Sequence, residues 1–411
     1  MGIEEERVMR AAIFVAASVV TVLGLVQPNA GQVPEKKFIT KDGKKPKGLF
    51  ASGVMVDKTL YIAGKGDYRP DAAFPEKVKN CLNEVKKVLQ MAGLDMRHVV
   101  NSFVYLEDHS QFAEYNKQYA AFFDKDPPAR TTLGVSKVPG ESHLEITCIA
   151  YGDLAGRKRI GEVSRGLPFS PGILAGDTLY ISGKGDQLPD GQHPPTFEAQ
   201  VRQAMRNVET TLTQAGLDFR HVVMSHVFLD KQENLEVANK VYKEFFRAGD
   251  EPACATVFVD WIPGGSHVEV TCIATTTLAG RKVVCPARMK ASEITASVTG
   301  SPGVWAGNTL YLSGLPGFKP QERVLADGLK EQVHQMARNH VDVLETAGLK
   351  LDDIVSGHVY LRDIKDYQAL NGIYREYFSR GPGVRTCLMP TSRNESKDVQ
   401  VRASFIAART R

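Results

Sequence analysis

Arg130 and Glu145 stand fifteen residues apart, and the same span separates Cys254 from Glu269 and Arg385 from Gln400. An arginine fork can hold a carboxylate bidentately, and a glutamate can orient water or accept its proton. A cysteine forms no salt bridge with a carboxylate, and a glutamine bonds water without taking up a proton. The three spans therefore carry unequal chemistry. A nucleophilic Cys254 would need a lowered pKa and a neighbouring base, and the sequence shows neither. His143 and His267 read as strand-end residues, with no second histidine or carboxylate at metal-ligand spacing, so no metal and no cofactor is expected. Lys65 and Lys184 lie in Gly-Lys-Gly-Asp strings that lack the Gly-x-x-x-x-Gly-Lys-Ser/Thr spacing of a phosphate loop.

These residues recur because the chain repeats itself. Tyr61-Ile-Ala-Gly-Lys-Gly-Asp67 matches Tyr180-Ile-Ser-Gly-Lys-Gly-Asp186 and, more loosely, Tyr311-Leu-Ser-Gly-Leu-Pro-Gly317. Asn116-Lys-Gln-Tyr119 matches Asn239-Lys-Val-Tyr242 and Asn371-Gly-Ile-Tyr374, each followed by an aromatic pair. His143-Leu-Glu-Ile-Thr-Cys-Ile-Ala150 matches His267-Val-Glu-Val-Thr-Cys-Ile-Ala274, with Val399–Ala407 read in register as the third copy. Offsets of about 120 to 130 residues are domain-sized, far above solenoid periods. The string Leu-Ala-Gly-Arg-Lys at 154–158 and 278–282 is read as closing the first two copies. Repeats are placed at 36–158, 162–284 and 292–410, behind a distinct segment at 1–31.

Each copy reads β-β-α-β-α-β-β. In the second, Gly176-Asp177 turns between two short strands, and Phe197, Val201, Ala204, Met205, Val208 and Leu212 mark an amphipathic helix stopped by Gly216. Val222–Leu229 reads as a buried strand, Leu235–Phe246 as a second helix, and Ala255–Trp261 and His267–Ala274 as the closing strands. A sheet with both helices on one face is an α+β arrangement whose other face needs a cover.

Among 411 residues, 43% are hydrophobic and 24% charged, and the net charge is +4, values of an ordinary globular chain. No dense Lys/Arg tract with interleaved aromatics is present, so no nucleic-acid partner is expected. The six cysteines form no CxxC pair, and Cys148 and Cys272, at the same place in successive repeats, read as small buried side chains. Arg10, the apolar run Ala11–Val26 and Ala30 read as a signal for export, with an uncleaved membrane anchor as the alternative.

The Ser-Gly pair after the second strand, the Asn-x-x-Tyr helix with its aromatic pair, the Pro-Ala-Arg segment and the Glu-bearing last strand together resemble the RidA (YjgF-type) imine deaminases. The resemblance covers nearly all of each copy. It implies a chorismate-mutase-like fold, and three such domains in one chain imply an intramolecular pseudo-trimer whose sheets cover one another, monomeric as a chain. It also implies hydrolysis of small 2-imino or enamine acids to 2-keto acids and ammonia, in sites between neighbouring repeats.

The resemblance assigns roles copy by copy. In repeat 1, Arg130 matches the carboxylate-binding arginine, Glu145 the water-positioning glutamate and Asn116 the supporting asparagine; Gly64 is kept but Ala63 replaces the serine. Repeat 2 keeps Ser182, Gly183, Asn239 and Glu269 but has Cys254 at the arginine position. Repeat 3 keeps Ser313, Gly314, Asn371, Arg385 and Cys387, and Gln400 is read at the glutamate position, with Arg402 as a possible anion contact two residues on. Since no copy holds the full set, one complete site is expected from Arg130 and Glu145 facing Ser182 or Ser313. The rival readings are a scaffold or binder of small carboxylates, and a hydrolase of another amide or imine.

Overall fold

The computed structural model describes residues 33–123, 126–163, 166–289, 300–378, 381–393 and 398–411. The export or anchor segment at 1–31 lies outside them. No described helix is long and apolar enough to cross a membrane.

Repeat 1 runs β1 (Lys36–Phe38), β2 (Gly53–Val56), β3 (Thr59–Lys65), α1 (Phe74–Met91), β4 (Val99–Leu106), α2 (Phe112–Ala120), β5 (Ala129–Gly134) and β6 (Leu144–Tyr151). Repeat 2 follows with β7 (Arg157–Ile160), β8 (Gly172–Ala175), β9 (Thr178–Ile181), β10 (Lys184–Gly185), α3 (Phe197–Gln214), β11 (Val222–Leu229), α4 (Leu235–Lys243), β12 (Ala253–Phe258) and β13 (Val268–Thr275). Repeat 3 has β14 (Lys282–Val284), β15 (Gly303–Ala306), β16 (Thr309–Pro316), β17 (Phe318–Lys319), β18 (Val324–Leu325), α5 (Gly328–Thr346), β19 (Ile354–Leu361), α6 (Tyr367–Phe378), β20 (Val384–Leu388) and β21 (Val401–Ala408). The α+β expectation holds, and among the described residues the repeats carry six, seven and eight strands where the pattern has five.

A short edge strand that the pattern did not include opens each repeat. Arg157 and Lys158 do not close repeat 1 but open β7, which pairs antiparallel with β8 of repeat 2. Lys282 likewise opens β14, which pairs with β15 of repeat 3. A three- or four-residue edge strand has too few periodic positions to be seen in sequence.

In repeat 1 the sheet order is β1-β2-β3-β6-β4-β5, and repeat 3 follows the same plan. Among the described strands, β4–β5, β11–β12 and β19–β20 pair in parallel, each across a helix that returns the chain. Val78, Leu82, Val85 and Leu89 form the buried stripe of α1 against Leu60, Ile62, Val104 and Ile146 of the sheet. Each such side chain removed from water contributes about 1.5–3 kcal/mol. Helix α1 ends before Gly93, whose φ of +75° suits the left-handed position after a helix.

The opposite sheet faces cover one another. β4 is buried along its whole length, Val104 and Leu106 facing the helices and the alternate Phe103 and Tyr105 joining Phe228, Val257, Tyr360 and Leu388 in a core drawn from all three repeats. Equivalent backbone bonds run in cyclic order: Ser170 donates to Pro128 O, Ser301 to Pro252 O and Ala51 to Gly383 O, each at 3.0 Å. Repeat 1 therefore meets repeat 2, repeat 2 meets repeat 3, and repeat 3 returns to repeat 1.

Candidate functional site

The first junction, between repeats 1 and 2, is built around Arg130. Its Nη2 donates to Asn116 Oδ1 at 2.7 Å, and its guanidinium lies over the rings of Tyr115, Tyr119 and Phe169 at 5.4, 4.8 and 4.7 Å. Asn116, Tyr115 and Tyr119 come from α2, whereas Phe169 comes from repeat 2. Arg130 is only 3% exposed, and among the described residues its Nη1 has no hydrogen-bond partner. A buried cation with an unfilled donor is primed for an anion.

The glutamate that meets Arg130 is Glu269. Leu144, Ile146 and Cys148 of β6 face the helix-side core of repeat 1, so Glu145 points to the junction face. The same alternation on β13 places Glu269. Burial pushes the Glu269 carboxyl up to about 8, opposed by the nearby charges of Arg130 and Lys184. Burial lowers Lys184 in turn to about 8, with Glu269 opposing.

The third junction, between repeats 3 and 1, repeats this arrangement. Arg385 Nη2 donates to Asn371 Oδ1 at 2.7 Å and to Tyr367 Oη at 3.3 Å, and Nη1 has no partner. Its guanidinium lies over Phe50, Tyr367 and Tyr374 at 4.9, 5.5 and 4.8 Å, Phe50 being the ring supplied by repeat 1. Glu145 belongs here. Burial raises its carboxyl to about 7, against the pull of Thr386, Arg385 and the Cys387 backbone. Cys387 is itself buried, its thiol pushed up to about 12.

The groups that the sequence put together are paired differently in the structure. Arg130 does meet Ser182, but Glu145 does not face that serine; each glutamate sits against the loop glycine of its own repeat, Gly64 or Gly183, and not beside the arginine position of its own repeat. The residues of the serine and glycine positions also act differently from substrate ligands. Ser182 Oγ accepts from the Arg130 backbone N–H at 2.8 Å and donates to Ser170 O at 2.5 Å. Ser313 makes the same clip between Cys254 N and Ser301 O at 2.8 and 2.6 Å. Both hydroxyls are fully buried and spent on backbone. The glycines seat the carboxylates: a Cβ on Gly183 would lie 1.9 Å from Glu269 Oε1, and one on Gly64 would lie 1.8 Å from Glu145 Oε1.

The second junction, between repeats 2 and 3, is inverted. Cys254 fills the arginine position and Asn239 stands half-buried on α4 without an arginine to hold. The glutamate position is Arg402, not Gln400. Glu145 pairs with Tyr105 and Glu269 with Phe228, and the equivalent partner of Tyr360 is Arg402. Gln400 occupies the place of His143 and His267, its carbonyl accepting from Arg362 N at 2.9 Å. Arg402 Nη1 donates to Thr256 O at 3.0 Å, and burial lowers its pKa to about 10, which leaves it charged at neutral pH. A Cβ on Gly314 would meet Ala255 Cβ at 2.8 Å and Arg402 Cδ at 3.3 Å.

Sequence reasoning missed the aromatic cages and the Arg402 register. The register was readable from the Ile-Ala pairs, since Glu145, Glu269 and Arg402 all lie five residues before the alanine. Counting fifteen from Arg385 failed because the loop between β20 and β21 is longer.

The family profile described as Endoribonuclease L-PSP matches residues 40–152, 162–276 and 291–408. A RutC family protein of Saccharolobus solfataricus is 36% identical over 119 residues, which cover 28% of this chain and 94% of that protein. The 2-iminobutanoate/2-iminopropanoate deaminase of Rattus norvegicus is 31% identical over 109 residues, 25% of this chain and 80% of that one. Among solved structures, RidA from an Antarctic Psychrobacter is 29% identical, with a TM-score of 0.28 over 31% of this chain and 99% of its own. A chorismatase covers 76% of this chain and 93% of its own at a TM-score of 0.51 and 11% identity, a likeness of fold.

Proposed function

Because the chain belongs to the endoribonuclease L-PSP family, with three tandem RidA-type domains, we propose that it is an intramolecular pseudo-trimer hydrolysing small 2-imino acids to 2-keto acids and ammonia. Two clefts do so: Arg130 with Glu269, and Arg385 with Glu145. The observation that carries this reading is the pair of buried guanidiniums with unpartnered Nη1 donors, each beside a carboxyl held near neutrality.

The Arg Nη1 holds the substrate carboxylate, while the asparagine and the aromatic rings fix the guanidinium plane. The ionised glutamate takes a proton from water as its oxygen bonds to the imine carbon. The carbinolamine nitrogen is then protonated and leaves as ammonia while the C=O bond forms, so imino acid plus water gives keto acid plus ammonia. A base of pKa about 7 to 8 matches this task at neutral pH.

The test uses an amino-acid oxidase as imine source and semicarbazide as trap. The purified chain should suppress semicarbazone formation, Arg130→Ala and Arg385→Ala should each leave partial activity, and the double variant none. Full suppression by the double variant would refute the reading. The export expectation has its own test, namely the N-terminal sequence and compartment of the mature chain.

A further inference from the structure

A cavity opens at the inverted second junction. About 340 Å³ in volume, it falls in the range of roughly 300–1,000 Å³ common for small-molecule pockets. Its apolar walls include Leu235, Val257, Phe258, Phe318 and Leu325, and its charged lining is Arg323, Arg362 and Arg402. Among the described residues, no carboxylate, histidine or cysteine lines it. Thr256 Oγ1, buried on the wall beside Arg402, has no hydrogen-bond partner.

Two changes made this cavity. Arg402 replaces the glutamate of the other junctions, which turns the polar group of the last strand from an acceptor into a donor. The hairpin β17–β18, found only in repeat 3 among the described residues, supplies Phe318, Arg323, Val324 and Leu325 as an outer wall. A wall of aromatic and aliphatic side chains with cations of one sign fits an amphipathic anion. The carboxylate binds at Arg402 and Thr256, and the hydrocarbon body lies against Phe258, Phe318 and Leu325.

We propose that the repeat 2–repeat 3 junction is a binding site for a monocarboxylate with an aromatic or branched apolar body, which it holds without hydrolysing. Among the described residues the lining offers no carboxylate or histidine as a base to activate water. The inference stands independently of the hydrolytic reading, because it concerns a different junction.

The test is calorimetric titration of the full chain with phenylacetate, and with phenylacetamide as the uncharged control. One saturable site per chain is expected. The Arg130→Ala/Arg385→Ala variant should bind within about twofold of the parent, whereas the amide should bind at least ~10-fold more weakly, a loss of ~1.4 kcal/mol. Arg402→Met should weaken phenylacetate by ~10-fold or more. Because Arg402 is buried and its loss can disturb folding, Leu325→Trp on the half-buried hairpin provides a second variant. That tryptophan fills the cavity, and it should abolish phenylacetate binding while imine hydrolysis persists. Absence of saturation up to ~10 mM, equal binding of the amide, loss of binding in the double arginine variant, or full binding by Leu325→Trp would each overturn the proposal.

Discussion

The first and second junctions share a backbone plan and differ in charge. Both are clipped by a buried serine, Ser182 on Arg130 N and Ser313 on Cys254 N, at 2.8 Å each. In the first, a cation from repeat 1 meets a carboxylate from repeat 2. In the second, the cation sits on the last strand of repeat 3 and the opposite position is a thiol. Assembly and chemistry are thus carried by different atoms: backbone and serine hold the repeats together, so the charged pair was free to change without opening the ring.

The largest expected effect tests whether the charged pair alone separates the junctions. In an Arg385→Ala background the proposed hydrolysis rests on the first junction alone, and adding Glu269→Gln should lower the rate of imine hydrolysis by ~100-fold or more, whereas adding Cys254→Ala should leave it unchanged. The seat of the carboxylate comes next. Gly183→Ala forces Glu269 aside, since the new Cβ would lie 1.9 Å from its Oε1. In the same background it should cost ~10-fold in kcat, with the chain still folded by circular dichroism.

On the proposed mechanism, the pH dependence separates the first junction from the third. If Glu145 at about 7 and Glu269 at about 8 act as the proposed bases when ionised, activity should rise with pH through each value. The Arg130→Ala chain, left with Glu145, should therefore reach half-maximal kcat at lower pH than the Arg385→Ala chain. Each substituted arginine serves the other glutamate, so the surviving base keeps its environment.

A stability measurement follows from the same carboxyls. Both pKa values are raised above those of the unfolded chain, so folding favours the protonated form, and that contribution is lost as pH rises through about 7 and 8. Glu269→Gln mimics the protonated group, and its stability should exceed the parent's by roughly 1–3 kcal/mol at pH 9 and little at pH 5, read from denaturant titrations. The smallest effect concerns the clip. Ala63 occupies the serine position of the third junction, and Ala63→Ser should add about 0.5–1.5 kcal/mol of stability while changing the imine-hydrolysis rate less than twofold.

Local residues were legible without the fold. Arg130 with Asn116, and Arg385 with Asn371, were assigned from one repeat each, and each pair forms a 2.7 Å bond within its own repeat. Phe169 and Phe50 were not seen, because each crosses from the neighbouring repeat onto an arginine outside its own domain. Tyr367 was missed for another reason: the motif offered only Asn371 and Tyr374, and nothing in a helical turn marks which aromatic turns toward a guanidinium.

By itself the sequence determined three α+β repeats, the strand alternation that sends Glu145 and Glu269 to one face, and the unequal set of arginines. Only the tertiary structure decided which glutamate meets which arginine, since that depends on contacts between domains more than a hundred residues apart. It likewise decided that Arg402 stands where the other repeats carry glutamate, because strand register is set by the ladder and not by the length of the loop before it.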